Sequence, residues 1–151
     1  MAVFTSRYSN PALAGGERRA VRISMGTPRF RLGYRLDADI PELMPFGLRG
    51  RAFDSFMAGY VERLEKAGAA RIGAILERMQ QGGRDAVLLC YEDIRKPGAW
   101  CHRTMFADWW RERTGETIAE LPHPDAKGAS KPTKAPAGGG IMPSIQLTLF
   151  G

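Results

Sequence analysis

Over residues 85–91 the chain reads DAVLLCY, an unbroken apolar run with charged residues on either side. The run does not alternate as a half-exposed strand does, and it is far shorter than the ~20 residues that span a bilayer. It has the form of a strand buried on both faces, as in the interior of a parallel sheet. Such a strand needs a covering layer on each side, so this one stretch predicts an α/β layer fold.

The rest of the chain supplies the other layers. Residues 2–6 (AVFTS) and 20–24 (AVRIS) read as strands, closed by the turn signals Ser9-Asn10-Pro11 and Met25-Gly26-Thr27-Pro28. Phe53, Phe56, Met57, Tyr60, Val61 and Leu64 recur at helical spacing up to Ala67-Gly68, and Ile72, Ile75, Leu76 and Met79 mark a second helix that stops at Gly82-Gly83. Residues 100–114 read as a third helix capped by Gly115, and 117–121 as a last strand. Trp109 and Trp110 adjoin on that helix, so they are not both expected to face the core; partial burial of both is expected, the alternative being one exposed as a stacking surface. From His123 onward Pro, Gly, Ala, Lys and Ser replace any apolar period. The expected architecture is a single small three-layer α/β domain with a mainly parallel sheet over residues 1–122. A flexible linker over 123–143 and an apolar tail over 144–151 follow.

No apolar run reaches membrane-spanning length, the first residues carry no secretory pattern, and two cysteines make no disulfide framework. A cytoplasmic protein with no membrane partner is expected. Charge is uneven: residues 1–51 hold nine arginines against four acidic residues, a net +5, whereas residues 52–122 are near neutral. Arginine suits bidentate phosphate contacts, so weak, non-specific DNA binding is expected, with Arg7, Arg22 and Arg29 among the anion-binding residues. The alternative is an ordinary solvated surface.

The segment LLCYEDIRKPGAWCHR holds the chemistry. A strand ending at Cys90-Tyr91-Glu92 and a helix opening near Cys101-His102-Arg103 meet where open α/β sheets bind ligands. Helix N-termini favour anions, and Arg103 adds positive charge there. A thiol in that position has its thiolate stabilised, which makes Cys101 a candidate nucleophile. Glu92 is the candidate acid/base and His102 the candidate proton shuttle. Arg7 and Tyr8, just after the first strand, are expected to face the same pocket. As neighbours on a helix, Cys101 and His102 are not expected to pair with each other. Cys90, Cys101, His102 and distant His123 lack finger-like spacing, so no metal is expected, and no cofactor is assigned.

In its buried strand ending LLC-x-E and its helix opening CHR, the chain resembles the uncharacterised bacterial family catalogued as domain of unknown function 488. FTSRYSNP near the start, Val21-Arg22 and Pro28-Arg29 agree with that resemblance, which covers residues 1–122. It implies a compact α/β domain with a shared pocket and supplies no reaction. The loop from Asp93 to Trp100 is longer than the family's usual connection.

Gln146-Leu147-Thr148-Leu149-Phe150 matches the Gln-Leu-x-Leu-Phe pentapeptide by which bacterial polymerases and repair factors hold the sliding clamp. Leu147, Leu149 and Phe150 would fill an apolar cleft while Gln146 fixes register. The competing reading is a terminal strand folded onto the chain's own sheet. Together these features predict a bacterial or phage DNA-maintenance protein, associated with the nucleoid when clamp-bound, with a DNA- or nucleotide-processing pocket. The alternatives are a non-catalytic clamp adaptor and a small-molecule enzyme of nucleotide metabolism.

Overall fold

The computed structural model describes residues 2–124. Its centre is a five-stranded, wholly parallel sheet formed by β1 (Val3–Arg7), β2 (Arg19–Arg22), β3 (Leu36–Asp39), β4 (Ala86–Cys90) and β5 (Ala119–Glu120), in the order β3-β2-β4-β1-β5. The apolar run is the central strand β4. All five of its residues are buried, paired with β1 on one side and β2 on the other.

Three helices lie on one face: α1 (Phe53–Ala67), α2 (Ala69–Met79) and α3 (His102–Thr114). Phe56, Tyr60 and Leu64 of α1 and Ile72, Ile75 and Leu76 of α2 form one core with Val21, Ala86, Leu88 and the inner side of α3. The apolar stripe of α1 is narrower than its sequence suggests, because Phe53 and Met57 are exposed. At Gly68 (φ 88°, ψ 144°) the chain takes a conformation that a side chain would strain, and there α1 gives way to α2. The opposite face is the third layer. It is built without an α-helix, from Tyr8, Leu13, Leu32 and Tyr34 packed on Ala20, Val87 and Leu89.

Trp109 and Trp110 are both almost fully buried, beyond the partial burial expected of adjacent helix positions. Helix α3 is enclosed by α1 and α2 as well as by the sheet, so its buried arc is wide enough for adjacent side chains. The indole of Trp110 lies over Gly73 and donates to Glu116, while that of Trp109 donates to Glu65.

The winding positions the site. From β1 the chain moves to β2 and β3 through segments on the second face. From β3 it reverses, reaching β4 through α1 and α2 and β5 through α3, all on the first face. The chains leaving β2 and β4 therefore diverge to opposite faces, and adjacent parallel strands that do so open a crevice beyond their carboxyl ends.

A thiol–imidazole floor beneath an arginine rim

A cavity of about 1150 Å³ occupies that crevice. Ser24–Phe30 after β2 contribute one wall, Tyr91, Glu92 and Gly98–Trp100 after β4 another, and Arg49–Arg51 with Phe56 a third. Cys90, Cys101 and His102 also line it, and all three are buried.

These three residues converge through a local change of backbone. Cys101 is the N-cap of α3 in extended conformation (φ −150°, ψ 149°), whereas His102 is the first helical residue. Because Cys101 stands outside the helix, the rule that neighbours on a helix diverge does not apply to it. The Cys101 sulfur lies 3.8 Å from His102 Nδ1, and the Cys90 sulfur lies 3.6 Å from the same nitrogen. On the other edge of the ring Nε2 donates to the Ile23 carbonyl at 2.8 Å. A carbonyl only accepts, so Nε2 carries hydrogen, and Nδ1 is the ring nitrogen that faces the two sulfurs.

The two thiols differ. Burial alone would push Cys101 up, but hydrogen bonds from Cys90 and His102 and the positive charges of Arg103 and His102 outweigh it and hold this thiol well below its ordinary value. Its place at a helix N-terminus acts in the same sense. Hydrogen bonding to Cys101 and burial push Cys90 up, so Cys90 keeps its proton; its sulfur also lies 3.3 Å from Glu92 Oε1. Burial and the neighbouring Cys101 raise the Glu92 carboxyl above its usual range. Of the two thiols, Cys101 is thus the one suited to act as nucleophile or ligand, and Glu92, the candidate acid/base, stands at the edge of the floor.

The rim is positive. Arg29, Arg49 and Arg51 line the cavity and are exposed, with no ion pair or side-chain hydrogen bond among the described residues. Phe30 and Tyr91, 49% and 40% exposed, stand among them, and Trp100 packs edge-on to Phe53 and Phe56.

Of the arginines singled out in the sequence, only Arg29 lines the cavity. Arg7 pairs with Asp93, and Arg22 is bound to Asp39 and to the carbonyls of Ser24 and Met25. Arg22 therefore braces the Ser24–Gly26 wall from behind. Arg103 is wholly buried and pointed away, holding both oxygens of Glu120 at 2.8–3.3 Å, and Thr5 donates to the same carboxylate. Tyr8 is buried behind the wall, its hydroxyl 2.6 Å from Ser24. Glu92, Cys101 and His102 come together as expected. Arg49 and Arg51 were missed, although their flanking glycines already marked an exposed turn, and so was the part Cys90 plays in the floor. Gln146, Leu147, Leu149 and Phe150 lie outside the described residues.

Compared with family models, with curated proteins and with solved structures, the chain matches none. The resemblance to the domain of unknown function 488 rests on the motif residues alone.

Proposed function

We propose that this protein processes a nucleotide or a DNA end in the β2–β4 cavity and is carried to DNA by its Gln146–Phe150 peptide bound to the sliding clamp. The observation that carries the pocket reading is the pairing, within one cavity, of arginines that have no ion pair among the described residues with exposed aromatic rings. Arg29, Arg49 and Arg51 offer fork-shaped donors for phosphate oxygens. Phe30, Tyr91 and Trp100 offer faces on which a base stacks, a contact of about 1–3 kcal/mol per base. A ligand held in this way directs its reacting end toward Cys101, His102 and Glu92. The floor favours the catalytic reading, whereas the turning of Arg103 away from the cavity toward Glu120 favours the adaptor.

The weak affinity of the pocket for DNA is offset by tethering. A linker of the composition that residues 123–143 have gives an effective concentration near millimolar for a tethered partner. Five exposed arginines of the first third (Arg29, Arg31, Arg35, Arg49 and Arg51) have no ion pair or side-chain hydrogen bond among the described residues and are free for phosphates.

The test has two arms. The full chain should bind purified bacterial sliding clamp at about micromolar strength. Leu149→Ala with Phe150→Ala should weaken this roughly a thousandfold, since each anchor contributes about 2 kcal/mol or more, while Thr148→Ala should matter little. The same double variant should still bind short single-stranded DNA, with affinity falling steeply as salt rises. Absence of clamp binding by the wild-type chain would remove the DNA-maintenance reading. Binding of free nucleotides but not of oligonucleotides would favour the metabolic enzyme.

A further inference from the structure

The geometry points to a metal site: Cys90, Cys101 and His102 form a three-ligand set for a zinc-like divalent cation, with the fourth coordination position open to the cavity. This inference does not depend on the proposed function.

It rests first on distance. In a tetrahedral site with Zn–S of about 2.3 Å and Zn–N of about 2.0–2.1 Å, a sulfur and a nitrogen ligand stand about 3.6 Å apart. The two sulfur–Nδ1 separations are 3.6 and 3.8 Å, and the three donor atoms lie within 4.8 Å of one another. A cation can therefore be placed among them with little movement.

The second observation is the orientation of the ring. A ligating histidine commonly donates its other N–H to a carbonyl or carboxylate, which fixes the tautomer that can bind metal. The Nε2 donation of His102 to the Ile23 carbonyl supplies that outer contact, and it leaves Nδ1 as the ring nitrogen facing both sulfurs. Two cysteine sulfurs and an imidazole nitrogen form a soft donor set that favours zinc over magnesium or calcium. The third observation is access. All three donors line the open cavity, so the set is closed on the protein side and open on the other, as three-ligand catalytic zinc sites are. Glu92 stands beside this set at the edge of the floor, with Oε1 3.3 Å from the Cys90 sulfur.

The test uses the full chain, reduced, freed of metal with a chelator, and titrated with Zn²⁺ in competition with a chromophoric chelator. Binding of about one Zn²⁺ per chain is expected. Co²⁺ in its place should show the intense visible bands of a tetrahedral site and a thiolate-to-metal charge-transfer band. Cys101→Ser and His102→Gln should each lower Zn²⁺ affinity more than ~100-fold, beyond the 10–100-fold typical of losing an outer partner. Glu92→Gln should keep the Co²⁺ spectrum. A readout without variants guards against misfolding. The chain has only two cysteines, so alkylation reports on these sulfurs alone, and Zn²⁺ should slow it markedly. Equal alkylation rates with and without Zn²⁺, or a Co²⁺ spectrum lacking the charge-transfer band, would overturn the assignment.

Discussion

His102 and Arg103 are neighbours at the start of α3, yet they serve opposite sides of it. The His102 side opens on a cavity, and its rim charges have no partners among the described residues. The Arg103 side is closed. Its guanidinium is fully buried, bidentate on Glu120, and the same carboxylate accepts from Thr5 across the β1–β5 edge. Both residues carry groups associated with chemistry, but only one of them reaches space that a ligand can occupy. Unpaired charge beside a cavity suggests binding, whereas a buried charge held against its counter-charge suggests architecture. Arg103 still acts on the open side through its field, since its charge helps to hold the Cys101 thiol down.

The largest expected effect comes from breaking the closed side. Glu120→Ala leaves Arg103 buried without its counter-charge and should destabilise the domain by about 3–5 kcal/mol. For a domain of this size that is a melting-temperature loss of roughly 10 °C or more. Arg103→Met should cost less, about 1–3 kcal/mol, because the Glu120 side chain is 31% exposed and keeps the Thr5 donor. Thermal melts of the two variants check the asymmetry. A larger loss from Arg103→Met would mean that Arg103 matters mainly through packing or through the floor.

How much of this was legible before folding follows from the same contrast. The central strand was plain because five apolar residues in a row have few other fates. The site's position was legible too, because a strand end and a helix start mark it. The direction of each side chain was not. Whether Arg103 faces a ligand or Glu120 depends on β5, more than a dozen residues further along. The convergence of Cys90, Cys101 and His102 depends on one extended residue at the helix cap. Strand β3 was missed because Leu-Asp-Ala-Asp lacks a strand's composition. It is an edge strand, and its aspartates pair with Arg84 and Arg22.

An intermediate effect should appear on the open side. Arg29→Ala with Arg49→Ala removes two rim charges that bond to nothing among the described residues, so stability should change by no more than about 0.5 kcal/mol per site. Affinity for a short oligonucleotide should nevertheless fall roughly tenfold or more, since one charge-assisted hydrogen bond contributes about 1.5–3 kcal/mol. The slope of affinity against salt should flatten in the same variant. Fluorescence anisotropy across a salt series checks both. Unchanged affinity would show that DNA, if bound, lies elsewhere on the arginine-rich surface.

The smallest effect tests the seam between the two sides. Asp93 begins the loop that walls the cavity, and it is held by Arg7 from the end of β1 and by Arg95 from within the loop. Hydrogen bonding to Arg95, reinforced by the charge of Arg7, holds the Asp93 carboxyl well below its ordinary value of 3.8. A group depressed on folding stabilises the native state fully above the unfolded value and loses that contribution as pH falls through the folded one. Asp93 should therefore contribute at neutral pH and cease to do so only in strong acid. The pair lies near the surface, so Asp93→Asn should cost no more than about 1 kcal/mol, and less at high salt. Melting curves of wild type and variant at low salt should stand slightly apart at pH 7 and converge as the pH is lowered well below 4. If they stay equally far apart at every pH at which the protein folds, the residue acts through the shape of the turn, and the loop wall is held in place without its charges.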